Sequence, residues 1–103
     1  MIGEAQFALM PMGSFLINAS RGPIVDQQAL LLSLSSRRLA GAALDVLRVE
    51  PPTSASPAPQ GPTLVVTPHS AWYTLEAEER ANRQAILSVR TALSGVRPPN
   101  SLT

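Results

Sequence analysis

Hydrophobic and polar positions along the chain follow two alternating rhythms. Residues 2–10, IGEAQFALM, set Ile2, Phe7 and Leu9–Met10 around polar Glu4 and Gln6. This predicts a short amphipathic helix that Pro11 and Gly13 stop. SFLINAS, 14–20, is an apolar run without strict alternation, the pattern of a strand covered on both faces, and Arg21-Gly22-Pro23 ends it. Asp26 suits the N-cap of a helix running to about Ser36, with Leu30, Leu31 and Leu34 as its inward stripe. LAGAALDVL, 39–47, reads as a second strand, rich in small residues and interrupted by the charge of Asp45. TLVVT, 63–67, is the third, ended by Pro68. Thr74 can cap a last helix with Glu76, Glu78 and Glu79 in its first turns, where the helix dipole favours anions. Ala81, Ala85, Val89 and Leu93 then recur every fourth residue with Ile86 beside them, until Gly95 and Pro98-Pro99 stop the helix.

The order is therefore α-β-α-β-loop-β-α, an α/β pattern of about three parallel strands with flanking helices. Right-handed crossovers would bring all three strand exits to one edge. The segment PPTSASPAPQGP, 51–62, holds five of the ten prolines and predicts a rigid irregular loop, which could cross over without a helix. No internal repeat is visible.

Composition narrows the class. In 103 residues there are 8 basic side chains, all Arg, against 7 acidic ones, for a net charge of +1. That balance gives no electrostatic reason for a nucleic-acid or membrane partner. Phe7, Phe15, Trp72 and Tyr73 are too few aromatics for a base-stacking platform. With no Cys, disulfides, thiolate metal sites and Cys nucleophiles are excluded. One His with scattered acids has no metal-ligand spacing, so no metal is expected. No apolar run approaches the roughly 18 residues that cross a bilayer, and residues 1–10 lack a basic leader start, so a cytoplasmic location is expected.

The candidate chemistry lies at the expected strand exits. Arg21 follows the first strand, Glu50 the second and His69 the third. In an open parallel sheet, ligands bind beyond the carboxyl ends of the strands, so the three converge. An Arg clamps a carboxylate bidentately. An imidazole trades a proton with an alcohol or ketone oxygen. A carboxylate bonded to that imidazole orients it and favours its protonated form. Each group alone has a plainer reading: a surface Arg, a solvated loop acid, a histidine behind a strand, a sheet-capping Trp72-Tyr73 pair. Asp45 within an apolar strand is costly unless paired or close to the exit. Ser20 has no Gly-x-Ser-x-Gly elbow, which leaves a serine-hydrolase set without support. Gly13, Gly22 and Gly41 have no partner glycines at dinucleotide spacing, so no phosphate-cradling loop is present among these residues.

Three strings in order, FLINASRGPIVD, AGAALDVLRVEP and VVTPHSAWYT, resemble the later half of the nucleotide-binding domain of the D-isomer-specific 2-hydroxyacid dehydrogenases. The resemblance covers nearly the whole chain, and PHSAWYT with a later PPNSL is similar to the branch of the C-terminal binding protein corepressors and their bacterial relatives. It implies a partial Rossmann-like domain: residues 1–73 as its second half, 74–95 as a helix returning to a substrate domain, and 96–103 as a tail. It implies NAD as cofactor, with NADP not excluded, and a small 2-hydroxy or 2-oxo acid as substrate. By position, Arg21 matches the binder of the substrate carboxylate, Glu50 the acid paired with the catalytic histidine, and His69 that proton donor. Asp45 matches the carboxylate at the nicotinamide end. Ala19, Ser20 and Arg21, with His69, Ser70, Ala71 and Trp72, match cofactor contacts, and Trp72 also a substrate-pocket aromatic.

There are departures from the family pattern. The usual Lys-Pro-Gly before the first strand reads Pro11-Met12-Gly13, and the usual glycine after the second helix is Arg37. If that position is left-handed, Arg there costs on the order of 1 kcal/mol. Ala58, Pro59 and Gly61 replace larger apolar anchors of the proline loop. The glycine fingerprint, the ribose-reading acid and the substrate domain have no counterpart. The expectation is a dehydrogenase portion, inactive alone, with exposed apolar surface that self-associates or meets the remainder of a longer protein. A corepressor-like interaction module and a truncated gene product are the competing expectations.

Overall fold

The computed structural model describes residues 1–99 and 101. Residues 100, 102 and 103 of the expected tail, and with them part of the PPNSL string, lie outside the described residues. The chain divides into two compact units, the first Met1–Ala71 and the second beginning at Trp72.

In the first unit, α1 (Glu4–Leu9) starts at Gly3, whose N–H donates to the Gln6 side chain at 2.9 Å. β1 (Ser14–Asn18) follows, then a single 3-10 turn at Gly22–Ile24 and α2 (Gln27–Ser35). The Asp26 carboxylate caps α2 as expected, accepting from the N–H groups of Gln28 and Ala29 at 2.9 and 3.1 Å. β2 (Leu39–Leu44) and β3 (Leu64–Val66) complete a parallel sheet in the order β1-β2-β3, with no helix between β2 and β3. Ile2 also bridges to Val25 in parallel, which joins the chain start to the entry of α2.

Register decides which side chains meet. Leu16, Ala42 and Leu64 form one row across the sheet, Ile17, Ala43 and Val65 the next, and Asn18, Leu44 and Val66 the last. The rows containing Leu16 and Leu44 face α1 and α2, where Phe7, Val25, Leu30, Leu39 and Leu44 are buried together. On α2, Leu30 is fully buried and Leu34 packs against this core, whereas Leu31 is only half-buried and Ser33 takes the second buried place. The opposite face is apolar and uncovered: Phe15 is 70% exposed, Ile17 77% and Val65 60%. The strand expected to be covered on both faces is thus covered on one.

Arg38, just after α2, staples α1 to the sheet. Its Nε donates to the Phe7 carbonyl at 3.2 Å, and its Nη2 to the carbonyls of Ala8 and, at 2.7 Å, Met10. These carbonyls lie at the C-terminal end of the short helix, and that of Phe7 also accepts from the Met10 N–H at 3.2 Å. Beside it, Arg37 has φ 57, the left-handed position for which a glycine is usual.

The second unit contains α3 (Leu75–Leu93), capped by Thr74, whose hydroxyl accepts from the Ala77 N–H at 3.1 Å. Ile86, Val89 and Leu93 are exposed, and α3 buries no residue. No helix among the described residues is long and apolar enough to cross a membrane.

Two outcomes follow for stability in urea titrations. Arg37→Gly relieves the left-handed strain and raises stability by roughly 0.5–1 kcal/mol. Phe7→Ala empties the α1 side of the core and lowers it by about 3–5 kcal/mol.

Candidate functional site

The last register row places the three strand exits side by side, and hydrogen bonds extend the ladder one residue further. The Asp45 N–H donates to the Asn18 carbonyl and the Thr67 N–H to the Leu44 carbonyl, both at 3.0 Å. Asp45 is therefore the first residue past β2, not an interruption within it, and its carboxylate turns toward the rim. It accepts from the Thr67 hydroxyl at 2.5 Å and from the N–H groups of Ser70 and Ala71 at 2.8 and 2.9 Å. These donors, the Thr67 hydroxyl foremost, hold the Asp45 carboxyl below its usual range although burial pushes the other way.

Glu50 lies six residues beyond β2 rather than three. The chain turns back so that its Oε1 accepts from the Leu47 N–H, while Oε2 lies 2.7 Å from Nδ1 of His69. A carboxylate can only accept, so Nδ1 carries the proton and the ring orientation is fixed. The Leu47 N–H first, then the imidazole, hold the Glu50 carboxyl below its usual range. His69 itself has φ 55, a left-handed conformation uncommon for a residue with a side chain. Asp45, Glu50, Thr67 and His69 line one cleft of about 290 Å³, walled by Pro51 and Pro52 of the proline loop.

Arg21 is on the same edge, but its guanidinium does not line that cleft. Its Nη1 donates to the Ser20 carbonyl at 2.7 Å. The structure thus pairs Glu50 with His69 and leaves Arg21 at the neighbouring exit. The turn carrying Ala19, Ser20 and Arg21 is shaped by Asn18, buried to 6% exposure, whose amide donates to the Arg21 carbonyl at 3.0 Å and accepts from the Ser20 N–H at 3.1 Å. Gly22 fixes that turn against the next exit: a Cβ there would stand 1.9 Å from the Leu47 carbonyl oxygen. Ser70 and Ala71 commit their backbone N–H groups to Asp45. Trp72 belongs to the second unit, where its ring meets Tyr73 edge-on with centroids 5.2 Å apart.

Sequence reading missed Asn18, Thr67 and Gly22. Each had a local mark: a polar residue ending an apolar run, a hydroxyl before Pro-His, and a glycine between Arg and Pro. Among the described residues no group of three or more His, Asp or Glu is arranged to hold a metal ion.

The sequence model described as D-isomer specific 2-hydroxyacid dehydrogenase, NAD binding domain, matches residues 1–71. The chain belongs to this family. Among curated relatives it is similar to a (S)-sulfolactate dehydrogenase of Chromohalobacter salexigens, 48% identical over 95 residues, which are 92% of this chain and 30% of that protein. Among solved structures it is similar to the D-lactate dehydrogenase of Lactobacillus jensenii with NAD+, at TM-score 0.83 and 30% identity over 100% of this chain and 35% of that one. A family member from Xanthobacter autotrophicus Py2 in complex with NADPH and MES matches 99% of this chain and 41% of its own, at TM-score 0.80 and 33% identity. The chain thus spans about a third of the length of the family members it matches.

Both rim carboxyls are held low in the folded state, so their contribution to stability is fully present above about pH 4–5 and is lost as pH falls through their depressed values. Urea midpoints measured from pH 7 to pH 2 fall on the acid side, and Glu50→Gln makes that fall shallower. Gly22→Ala forces the first exit away from Leu47 and lowers stability by about 1–3 kcal/mol.

Proposed function

We propose that residues 1–71 form the acid–base side of the active site of an NAD(H)-dependent D-2-hydroxyacid dehydrogenase acting on a short 2-oxo acid. The observation that carries this reading is the 2.7 Å contact between Glu50 and Nδ1 of His69 at the rim of a parallel sheet. With Nδ1–H held by the carboxylate, the other ring nitrogen is the one that gives a proton to the substrate carbonyl oxygen, and takes it back in the reverse direction. Glu50 offsets the positive charge of the imidazolium. Arg21, one strand over, supplies a two-pronged donor for the substrate carboxylate. Trp72 is carried as a substrate contact on its place in the PHSAWYT string alone.

The rim also suits the nicotinamide end of the cofactor. A carboxylate at a strand exit matches an amide group that needs an acceptor, and Asp45 provides one at the exit of β2, next to that of Asn18 on β1. When bound, the nicotinamide supplies or accepts the hydride. No Gly-x-Gly-x-x-Gly string occurs in the 103 residues, so they supply no cradle for the cofactor's phosphates. Hydride transfer requires both reactants fixed against each other, and one end of the cofactor site does not achieve that. The isolated chain is therefore inactive in this reading, and the cofactor is NAD(H) or its 2′-phosphate.

A second reading, an interaction module near the corepressor-like branch, draws support from PHSAWYT, from the uncovered sheet face of Phe15, Ile17 and Val65, and from the apolar side of α3. Light scattering tests it: self-association supports the module, and a monodisperse monomer speaks against it.

The dehydrogenase reading is tested by reading the gene upstream of Met1 and expressing any longer in-frame protein. NADH oxidation is then followed with glyoxylate, hydroxypyruvate and sulfopyruvate. The pure 103-residue chain gives no turnover. A longer protein carrying the glycine fingerprint turns over at least one acid, and His69→Asn in it lowers kcat by about 10²–10⁴-fold. A longer protein with the fingerprint that is inert toward every 2-oxo acid overturns the reading.

A further inference from the structure

Thr67 is a small residue with two attachments. Its N–H continues the sheet ladder to the Leu44 carbonyl, and its hydroxyl donates to Asp45 Oδ1 at 2.5 Å. The same carboxylate accepts from Ser70 and Ala71. The five residues from Thr67 to Ala71 are thus tied at both ends to the side chain of Asp45, a residue 7% exposed and anchored through its backbone N–H to the Asn18 carbonyl of β1. His69 lies in the middle of that loop at φ 55. A side-chain-bearing residue stays left-handed only where its surroundings over-determine it. The only residues between the two tie points are Pro68 and His69.

We propose that Thr67 is a positioning residue for the proton donor: through Asp45 it closes a bracket around the Pro68–His69 turn and holds the imidazole in line with Glu50. This rests on reading His69 as the proton donor. The hydroxyl gives the carboxylate a donor fixed to the sheet. The carboxylate then presents acceptors to the two N–H groups after His69, and those bonds keep the turn left-handed. Without the hydroxyl, Asp45 rotates toward water, Ser70 and Ala71 lose a fixed acceptor, and His69 relaxes to negative φ, which swings Nδ1 off Glu50. The Thr67 hydroxyl is also the largest cause of the low Asp45 carboxyl, consistent with a bond made to the charged form.

The test is Thr67→Val, close in shape but without the hydroxyl, in the full chain by isotope-labelled NMR. Amide exchange at Ser70 and Ala71 accelerates by about tenfold or more, while the Leu44 amide keeps its rate. The strong intraresidue contact between the amide and Hα protons of His69, a mark of positive φ, is lost. The Asp45 carboxyl carbon titrates at higher pH than in the unsubstituted chain. Thr67→Ser, which keeps the hydroxyl, restores all three. If Thr67→Val does not fold, Asp45→Asn, a weaker acceptor of the same shape, replaces it with the same expectation for exchange and for His69. Unchanged exchange and an unchanged His69 contact overturn the proposal, as does an acceleration that Leu44 shares equally. No substrate or cofactor enters these measurements, so their failure removes the bracket alone. Failure of the dehydrogenase reading shows separately, as a longer protein inert toward 2-oxo acids.

Discussion

The row Asn18, Leu44, Val66 is the constraint on which the rim depends. Parallel strands held at that register end together, so the next residues of β2 and β3, Asp45 and Thr67, emerge as neighbours and bond to each other. A slip of two residues would keep every side chain on its face but displace one exit by about 6.6 Å, too far for that bond. Two glycines guard the register. A Cβ on Gly41 would press on the Phe15 ring at 3.1 Å and the Thr63 carbonyl at 3.2 Å, and one on Gly22 would collide with the Leu47 backbone. Neither lies in a turn that needs unusual dihedrals. Both are small because two backbones, or a backbone and a ring, pass too close for anything larger.

Much of this architecture was legible in the residues. Asp26 and Thr74 were readable as caps because a short acceptor side chain before an amphipathic run has few other uses. The proline loop was readable as rigid and irregular because each proline removes a backbone donor and pushes the residue before it out of the helical region. The limits of β2 were not readable. LAGAALDVL continues apolar past the last ladder residue, and only the neighbouring strands decide where pairing stops, so Asp45 fell inside the strand on sequence alone. The return of Glu50 to His69 was foreseen as convergence, but its means, the Leu47 N–H that pins one carboxylate oxygen, depends on tertiary geometry. The left-handed state of His69 leaves no trace in composition, since it follows from what holds the residues on either side.

The sheet shows why periodicity can describe a surface the described residues do not cover. SFLIN is apolar on alternate sides, with Leu16 turned to the core and Phe15 and Ile17 turned outward. Such a strand is written for two layers of cover, while α1 and α2 furnish one. The chain spans about a third of the length of the sulfolactate and D-lactate dehydrogenases it is similar to. α3 repeats the pattern of the strand, with a cap at its start and an apolar side that buries nothing.

Arg38 has a consequence for the beginning of the chain. A guanidinium tied to the carbonyls of Phe7, Ala8 and Met10 is satisfied only while those residues stay where they are. Shearing off the first dozen residues would strip that cation of its acceptors, pull Phe7 out of the interior and release Ile2 from Val25. The short first helix is a keystone, and a version trimmed to begin at the first strand would arrive with a hole in its middle.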